Sequence, residues 1–218
     1  GAIRRGREEA TAEPRAPRFA PAGQSTQMIV GADASDDGQI LSTAETLYGS
    51  YQLKRVYYSA FSPIPDSPAS VPSAPPPMQR EHRLYQADFL MRSYGFQAGE
   101  LLPAGGNLAL DIDPKLAWAL AHRELFPIDL NRADAHLIAR VPGIGLRNAE
   151  RLIALRRLRQ IRYADLPRLR CSMQKVAPFV TTADYFPARD TTSSSALRRA
   201  LADVTPQQTA LWPELKAA

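Results

Sequence analysis

Gly143, Ile144 and Gly145 lie between two helical patterns in the run VPGIGLRNAERLI, residues 141–153, and Arg147 and Arg151 follow one helical turn apart. Residues of these types in this order suit the binding of an oxyanion. Glycine lacks the Cβ that would hinder a left-handed turn or a close approach, so the backbone amides around it can point at a ligand. A helix that begins directly afterwards adds unsatisfied N–H groups and the positive end of its dipole. Ile144 is suited to plugging the turn into a core from the inside. The expected chemistry is therefore capture of a phosphate oxygen, with Arg147 and Arg151 as the nearest cationic ligands. The competing reading is a helical hairpin whose glycines merely end a helix and whose arginines are solvated.

Other chemistry-bearing residues form weaker constellations. His82, His122 and His136 show neither HxH nor HExxH spacing, so no metal site is expected from them. Asp111 and Asp113 make a DxD, but Pro114 follows, and an Asp-Pro pair is better explained as a helix N-cap and first helical position. Cys171, the one cysteine, excludes an internal disulfide framework and a self-contained iron-sulfur site. It reads as a structural thiol.

The elements that must position the hairpin can be read on either side of it. Asn131 is expected to cap a first helix, with Asp134 favouring its N-terminal dipole and Leu137, Ile138 and Val141 facing inward. Pro142 stops that helix, and Leu146, Ala149, Leu152 and Ile153 form the apolar side of the second. YADLPRLRCSMQKVAPFV, residues 163–180, repeats two short helical patterns without a Gly-Ile-Gly and is assigned to packing. From Arg140 to Lys175 there are ten basic residues against Glu150 and Asp165, a local charge of +8 that exceeds the +5 of the whole chain. Arg156, Arg157 and Arg159 are expected to extend the basic surface begun by Arg147 and Arg151.

Upstream the pattern changes. With 218 residues and 44% hydrophobic content the chain can bury a core. TQMIVGA, residues 26–32, reads as a strand buried on both faces, and LKRVYYSAF, residues 53–61, as a second. Between them ILSTAETLYGSY has helical spacing, with Asp36 or Asp37 as its cap. This is one βαβ unit, and two strands alone are too few for a stable parallel sheet. SPIPDSPASVPSAPPP, residues 62–77, is an extended connector. A helix over 78–96 with Leu84, Ala87, Met91 and Tyr94 on one stripe ends near Gly95, and a loop at Gly105 and Gly106 leads to a buried helix after Asp113. The expected organisation is a flexible segment 1–25, a βαβ portion 26–61, a linker 62–77, a helical connector 78–126, a helical hairpin domain 127–186 and a flexible tail 187–218. No apolar run approaches a membrane span of roughly 20 residues, and the start lacks a signal-peptide pattern, so a cytoplasmic location is expected.

LNRADAHLIARVPGIGLRNAERLIALRR resembles the helix-hairpin-helix DNA-binding motif of repair enzymes and competence DNA receptors, and residues 163–180 resemble the degenerate partner of a paired unit. The resemblance implies a DNA partner, duplex and weakly sequence-dependent, held through Gly143, Ile144, Gly145 and the arginines that follow. About residues 17–187 resemble the C-terminal half of radical SAM proteins of DNA modification or repair, through PRFAPAGQSTQMIVGA, LYGSYQLKRVYYSAFSPIP, REHRLYQADFLMRSYGF and LDIDPKLAWAL. This implies an α/β remnant, the late strands of a partial TIM-type barrel, followed by an all-α helix-hairpin-helix domain. It also implies S-adenosylmethionine and a [4Fe–4S] cluster for the parent family, with Gly31, Ala32, Tyr58 and Ser59 as candidates for the S-adenosylmethionine pocket. Ordinary sheet packing explains those four residues at least as well. The CxxxCxxC loop that would hold the cluster is absent from the 218 residues, and the resemblance places it upstream of Gly1. Two other functions stay open: completion of a SAM-dependent enzyme with a cluster-bearing upstream section, or a truncated scaffold without nucleic-acid function.

Overall fold

The computed structural model describes residues 22–66, 68, 71–102, 105–187 and 193–202. Most of the segments expected to be flexible, 1–25 and 187–218, lie outside the described residues. The chain is a mixed α/β structure with two small parallel sheets. Strands β1 (Ser25–Val30) and β2 (Arg55–Ala60) pair in parallel from Ser25 with Arg55 to Val30 with Ala60. Helix α1 (Asp37–Tyr51) connects them, as the βαβ pattern predicts. Asp36 is the cap: its carboxylate accepts from the Gln39 amide at 2.8 Å, and the Gln39 side chain accepts from the Asp36 amide at 3.1 Å. Asp37 is instead a buried first-turn residue whose carboxylate accepts from Arg80 Nε at 2.7 Å and the Leu108 amide at 2.9 Å.

β1 is covered on one face only, contrary to the reading of a doubly buried strand. Ser25, Gln27 and Ile29 alternate outward, and Ile29 is 48% exposed. The covering helices lie on the other face, which carries Val30, Val56 and Tyr58. Helix α2 (Met78–Tyr94) contributes to that cover by packing on both β2 and α1. Its Glu81 accepts from the Ala60 amide at 2.8 Å, and its Tyr85 hydroxyl accepts from the Tyr58 amide at 3.0 Å. Asp88 is fully buried and satisfied, accepting from the Tyr48 and Tyr58 hydroxyls and from Arg92 Nε. The proline-rich stretch therefore does not separate two structural parts. The helix beyond it returns to roof the sheet, because a two-stranded sheet with a bare apolar face cannot stand alone. One contiguous core runs from Val30 to Leu197.

α2 ends where Gly95 takes a left-handed φ of 69°, and a single turn, α3 (Ala98–Leu101), follows. Helix α4 (Pro114–Ala121) begins as Asp113-Pro114 predicts, with the Asp113 carboxylate accepting from the Leu116 amide at 2.9 Å. After a 3-10 turn at Arg123–Leu125 come β3 (Ile128–Asp129), α5 (Ala135–Arg140), α6 (Leu146–Arg156), α7 (Asp165–Arg168) and α8 (Met173–Val176). A second 3-10 turn, Ala177–Phe179, leads into β4 (Val180–Thr181), which pairs in parallel with β3 and closes this part of the chain on itself. Part of the expected flexible tail is ordered. Helix α9 (Ser194–Leu201) is capped by Ser193 and buries Leu197, and its Ser194 hydroxyl donates to the Leu120 carbonyl at 3.1 Å. Arg198 holds Asp111 through two bonds of 2.7 Å, so the first carboxylate of the DxD anchors this helix.

Candidate functional site

The hairpin rests on α5 and α6. α5 is only six residues long and starts at Ala135, so Asp134 occupies the N-cap position and Asn131 does not. Asn131 acts at longer range, its amide oxygen accepting from the Ile161 amide at 2.7 Å and its Nδ2 donating to the Ile161 carbonyl at 3.2 Å. It ties the end of β3 to the loop after α6. Ile138 and Val141 are buried as expected, whereas Leu137 faces outward. Ile144 is 1% exposed and plugs the turn into the core.

The two glycines have different physical roles. Gly143 has φ 81°, and a Cβ built on it would lie 2.8 Å from Val176 Cγ2 and 3.1 Å from Lys175 Cβ. Helix α8, from the segment assigned to packing, occupies the space that a side chain would need. The turn preceding α8 reaches the same left-handed region without glycine, at Arg170 with φ 57°. Gly145 has an ordinary φ of −86° as the N-cap of α6, and a Cβ there would meet only the Tyr94 hydroxyl at 3.8 Å. Of the two uses expected of these glycines, an unusual backbone conformation or a close approach, Gly143 shows both and Gly145 neither, leaving open space over the turn instead.

Several amides around that turn are unpaired. Asn148 and Ala149 donate to the Gly145 carbonyl at 3.0 and 2.9 Å, which starts the helix. The amides of Gly143, Gly145, Leu146 and Arg147 have no acceptor among the described residues. Such donors at the start of an 11-residue helix are groups that can serve an anion. Arg147 and Arg151 are exposed on the same helix and have no ion-pair partner among the described residues, and Arg157 is also exposed. Two of the expected surface arginines instead serve the fold. Arg156 donates to the Ala133 carbonyl, fastening α6 to the residue before α5. Arg159 grips Asp165 through bonds of 2.8 and 2.6 Å. Arg140 is buried as well, bonded to Glu100 at 2.7 Å and stacked 4.2 Å from the Phe96 ring. Part of the +8 is therefore neutralised internally.

The Arg159–Asp165 pair shapes an open cleft between α6 and α7, lined also by Gln160, Arg162, Ala164 and Arg168. The Arg159 guanidinium, and then the Arg162 amide, hold the Asp165 carboxyl down at about 2. Because the folded value lies below the unfolded one, the stabilisation is present above the ordinary aspartate range and is lost as pH falls through about 2. Asp165→Asn is expected to cost on the order of 1–2 kcal/mol at pH 7 and to remove this acid-sensitive component. Urea unfolding of both proteins at pH 7 and pH 3 checks this, since the gap between them should narrow at the lower pH.

A residue that the sequence reading missed lies directly beneath the hairpin. Lys115, on α4, is 8% exposed, donates to the Ile144 carbonyl at 2.6 Å and sits 4.6 Å from the Tyr94 ring centroid. Burial pushes its ammonium down to about 7, against the smaller upward pull of Asp113. The signal available was a lone lysine in an otherwise apolar helix, PKLAWALA.

The candidates for an S-adenosylmethionine pocket lie at the same end of the paired strands β1 and β2, but their side chains do not share one face. Tyr58 points into the core with its hydroxyl on Asp88, whereas the adjacent Ser59 hydroxyl accepts from Gln27 Nε2 at 2.6 Å on the opposite face of β2. Gly31 has φ 80° and is covered by the Pro76 ring, 2.9 Å from where its Cβ would be, and Ala32 is half-buried next to it. Nor do the donors fit an iron-sulfur cluster. Cys171 is one buried thiol, pushed up by burial and 3.6 Å from Asn148 Nδ2, while such clusters take several thiolates. His82, His122 and His136 pair separately with Gln86, Trp118 and Arg140. Among the described residues no group of three His, Cys, Asp or Glu side chains could hold a metal ion, and no helix is long and apolar enough to cross a membrane. Compared with protein-family models, curated proteins and solved structures, the chain gives no match.

Proposed function

We propose that this chain binds DNA through the turn between α5 and α6, without reading base sequence. The observation that carries the reading is four unpaired amides, from Gly143, Gly145, Leu146 and Arg147, at the start of a helix whose exposed face carries Arg147 and Arg151. Amides and guanidinium groups recognise phosphate oxygens, which every nucleotide offers alike. The core side of the turn is filled by Ile144, so the open side is left for an anion. Local charge supports a polyanion rather than a single small anion, because exposed Arg147 and Arg151 lie on α6 and exposed Arg157 is its C-cap. The resemblance of this segment to helix-hairpin-helix motifs is the ground for choosing DNA among polyanions. The wider resemblance would make it the DNA-engaging end of a radical SAM-like protein, with β1 and β2 as late barrel strands.

Fluorescence anisotropy with labelled duplex and single-stranded oligonucleotides of unrelated sequence tests the proposal. Binding is expected for all duplexes with similar affinity, roughly 1–100 μM near physiological salt. The logarithm of the association constant should fall linearly with the logarithm of salt concentration, by about 0.9 per phosphate neutralised on duplex DNA. Absence of binding to any oligonucleotide at low salt overturns it.

A further inference from the structure

The proposed phosphate site has an inner side as well as an outer one, and the inner side is built around Lys115. Helix α4 is otherwise apolar and buries Leu116, Trp118 and Ala119. A lysine there incurs the cost of desolvating its ammonium, which structures tolerate only where the charge meets a defined partner. Its partner is the Ile144 carbonyl at 2.6 Å, and α6 does not use that carbonyl, since its first bonds go to Gly145. In a trans peptide the C=O and the following N–H point in opposite directions. Pinning the Ile144 carbonyl inward therefore turns the Gly145 N–H outward, at the start of α6 where the Leu146 and Arg147 amides are also unpaired. Removing the ammonium would leave a buried carbonyl without a donor, and a flip of that peptide would present an oxygen to the phosphate instead of an N–H.

Resting on the DNA reading above, we propose that Lys115 is a positioning residue for phosphate binding, its buried ammonium orienting the Ile144–Gly145 peptide so that the Gly145 amide faces the DNA backbone. The groups that face Lys115 are few. Tyr94 from α2 offers its ring at 4.6 Å and Asp113 precedes Lys115 on its own element, while Lys175 from α8 pairs with Asp113 at 3.0 Å. Asp113 is thus shared between a helix cap, an ion pair and the field at Lys115, and it ties α4, α8 and the hairpin together. A bound phosphate on the far side of the peptide favours the charged form of Lys115, so binding takes up a proton wherever the free protein has lost it. With burial holding the ammonium near 7, affinity weakens as pH rises from 6.5 to 9.

The test uses the full chain as wild type, Lys115→Met and Lys115→Arg, with duplex DNA affinity measured at low salt from pH 6.5 to 9 and thermal melts at each end. Wild-type affinity is expected to fall at least tenfold across this range. Lys115→Arg, always charged and still a donor, should hold its affinity nearly level, and Lys115→Met should bind at least tenfold more weakly than wild type at pH 6.5 with no comparable slope. A Lys115→Met protein that binds like wild type with the same pH profile overturns the role of Lys115 while leaving the DNA reading intact. Wild type without any DNA binding overturns both. Should Lys115→Met fail to fold, the Lys115→Arg profile decides, and a slope equal to that of wild type overturns the proposal. The free protein gives an independent reading: an Ile144 carbonyl carbon resonance that stays still between pH 6 and 9 also overturns it.

Discussion

Reversing two exposed charges together, Arg147→Glu with Arg151→Glu, is expected to lower duplex DNA affinity by about 100-fold or more at low salt while leaving the melting temperature nearly unchanged. Both side chains are exposed on α6 and have no partner among the described residues, so neither contributes a contact whose loss would unfold the chain. Exposed substitutions of this kind usually alter stability by no more than about 0.5 kcal/mol. Binding should respond differently. Each arginine lost as a phosphate ligand reduces the salt dependence by about 1 in the logarithmic slope, and each glutamate introduced then repels the backbone it faces. The same pair changed to alanine should show a smaller loss with the same change in slope. Anisotropy titrations at three salt concentrations, with a thermal melt for each protein, measure all of these quantities. A double reversal that binds like wild type would move the interface off α6 altogether.

Gly143 and Gly145 should part company when each receives a side chain. Gly143→Ala is expected to destabilise the chain by about 2–5 kcal/mol. Holding an L-residue in the left-handed region costs roughly 1–2 kcal/mol, and the overlap with Val176 at 2.8 Å adds a further cost of overpacking, typically 1–3 kcal/mol. Gly145→Ser should change stability by less than about 0.5 kcal/mol, because φ is ordinary there, the nearest atom to a Cβ is the Tyr94 hydroxyl at 3.8 Å, and serine is a good N-cap. Its hydroxyl would, however, accept from an amide of the first turn and so compete with phosphate for the same donor. DNA affinity of the well-folded Gly145→Ser protein is therefore expected to fall several-fold. Urea unfolding with a shared slope separates stability from changes in the unfolded state, and anisotropy on the same samples supplies the second axis. Equal stability losses at the two positions would contradict the different backbone geometries described for them.

Some of this molecule is legible in local chemistry alone. Asp36 with Gln39, Asp113 with Pro114, and Gly95 at the end of a long amphipathic stripe each announce a helix boundary, because capping depends only on residues within one turn of one another. The βαβ pattern of residues 26–61 and the placement of Ile144 inside the hairpin are legible for a similar reason: hydrophobic period and glycine position are local properties. Charge is legible only as a total. A count of ten basic residues between Arg140 and Lys175 does not reveal that Arg140 lies under Glu100, that Arg156 fastens Ala133, or that Arg159 is taken by Asp165.

Tertiary contact decided the rest. Asn131 was free to cap a helix until Ile161, 30 residues away, took both ends of its amide. The proline-rich stretch suggested a boundary, yet α2 beyond it shields β2 because an uncovered apolar face is costlier than a long loop closure, whose entropy grows only slowly with length. Ser194, Leu197 and Arg198 looked like part of a polar tail until Leu120 and Asp111 supplied partners for Ser194 and Arg198 across more than 70 residues. Lys115 shows the division most clearly. Its place in the chain marks a lysine among apolar residues, but only the approach of α4 to the turn at Ile144 gives the ammonium a carbonyl to hold. Local chemistry thus specified the helix boundaries and the shape of the hairpin, while long-range contact chose which of its charges are spent inside the fold and which stay exposed.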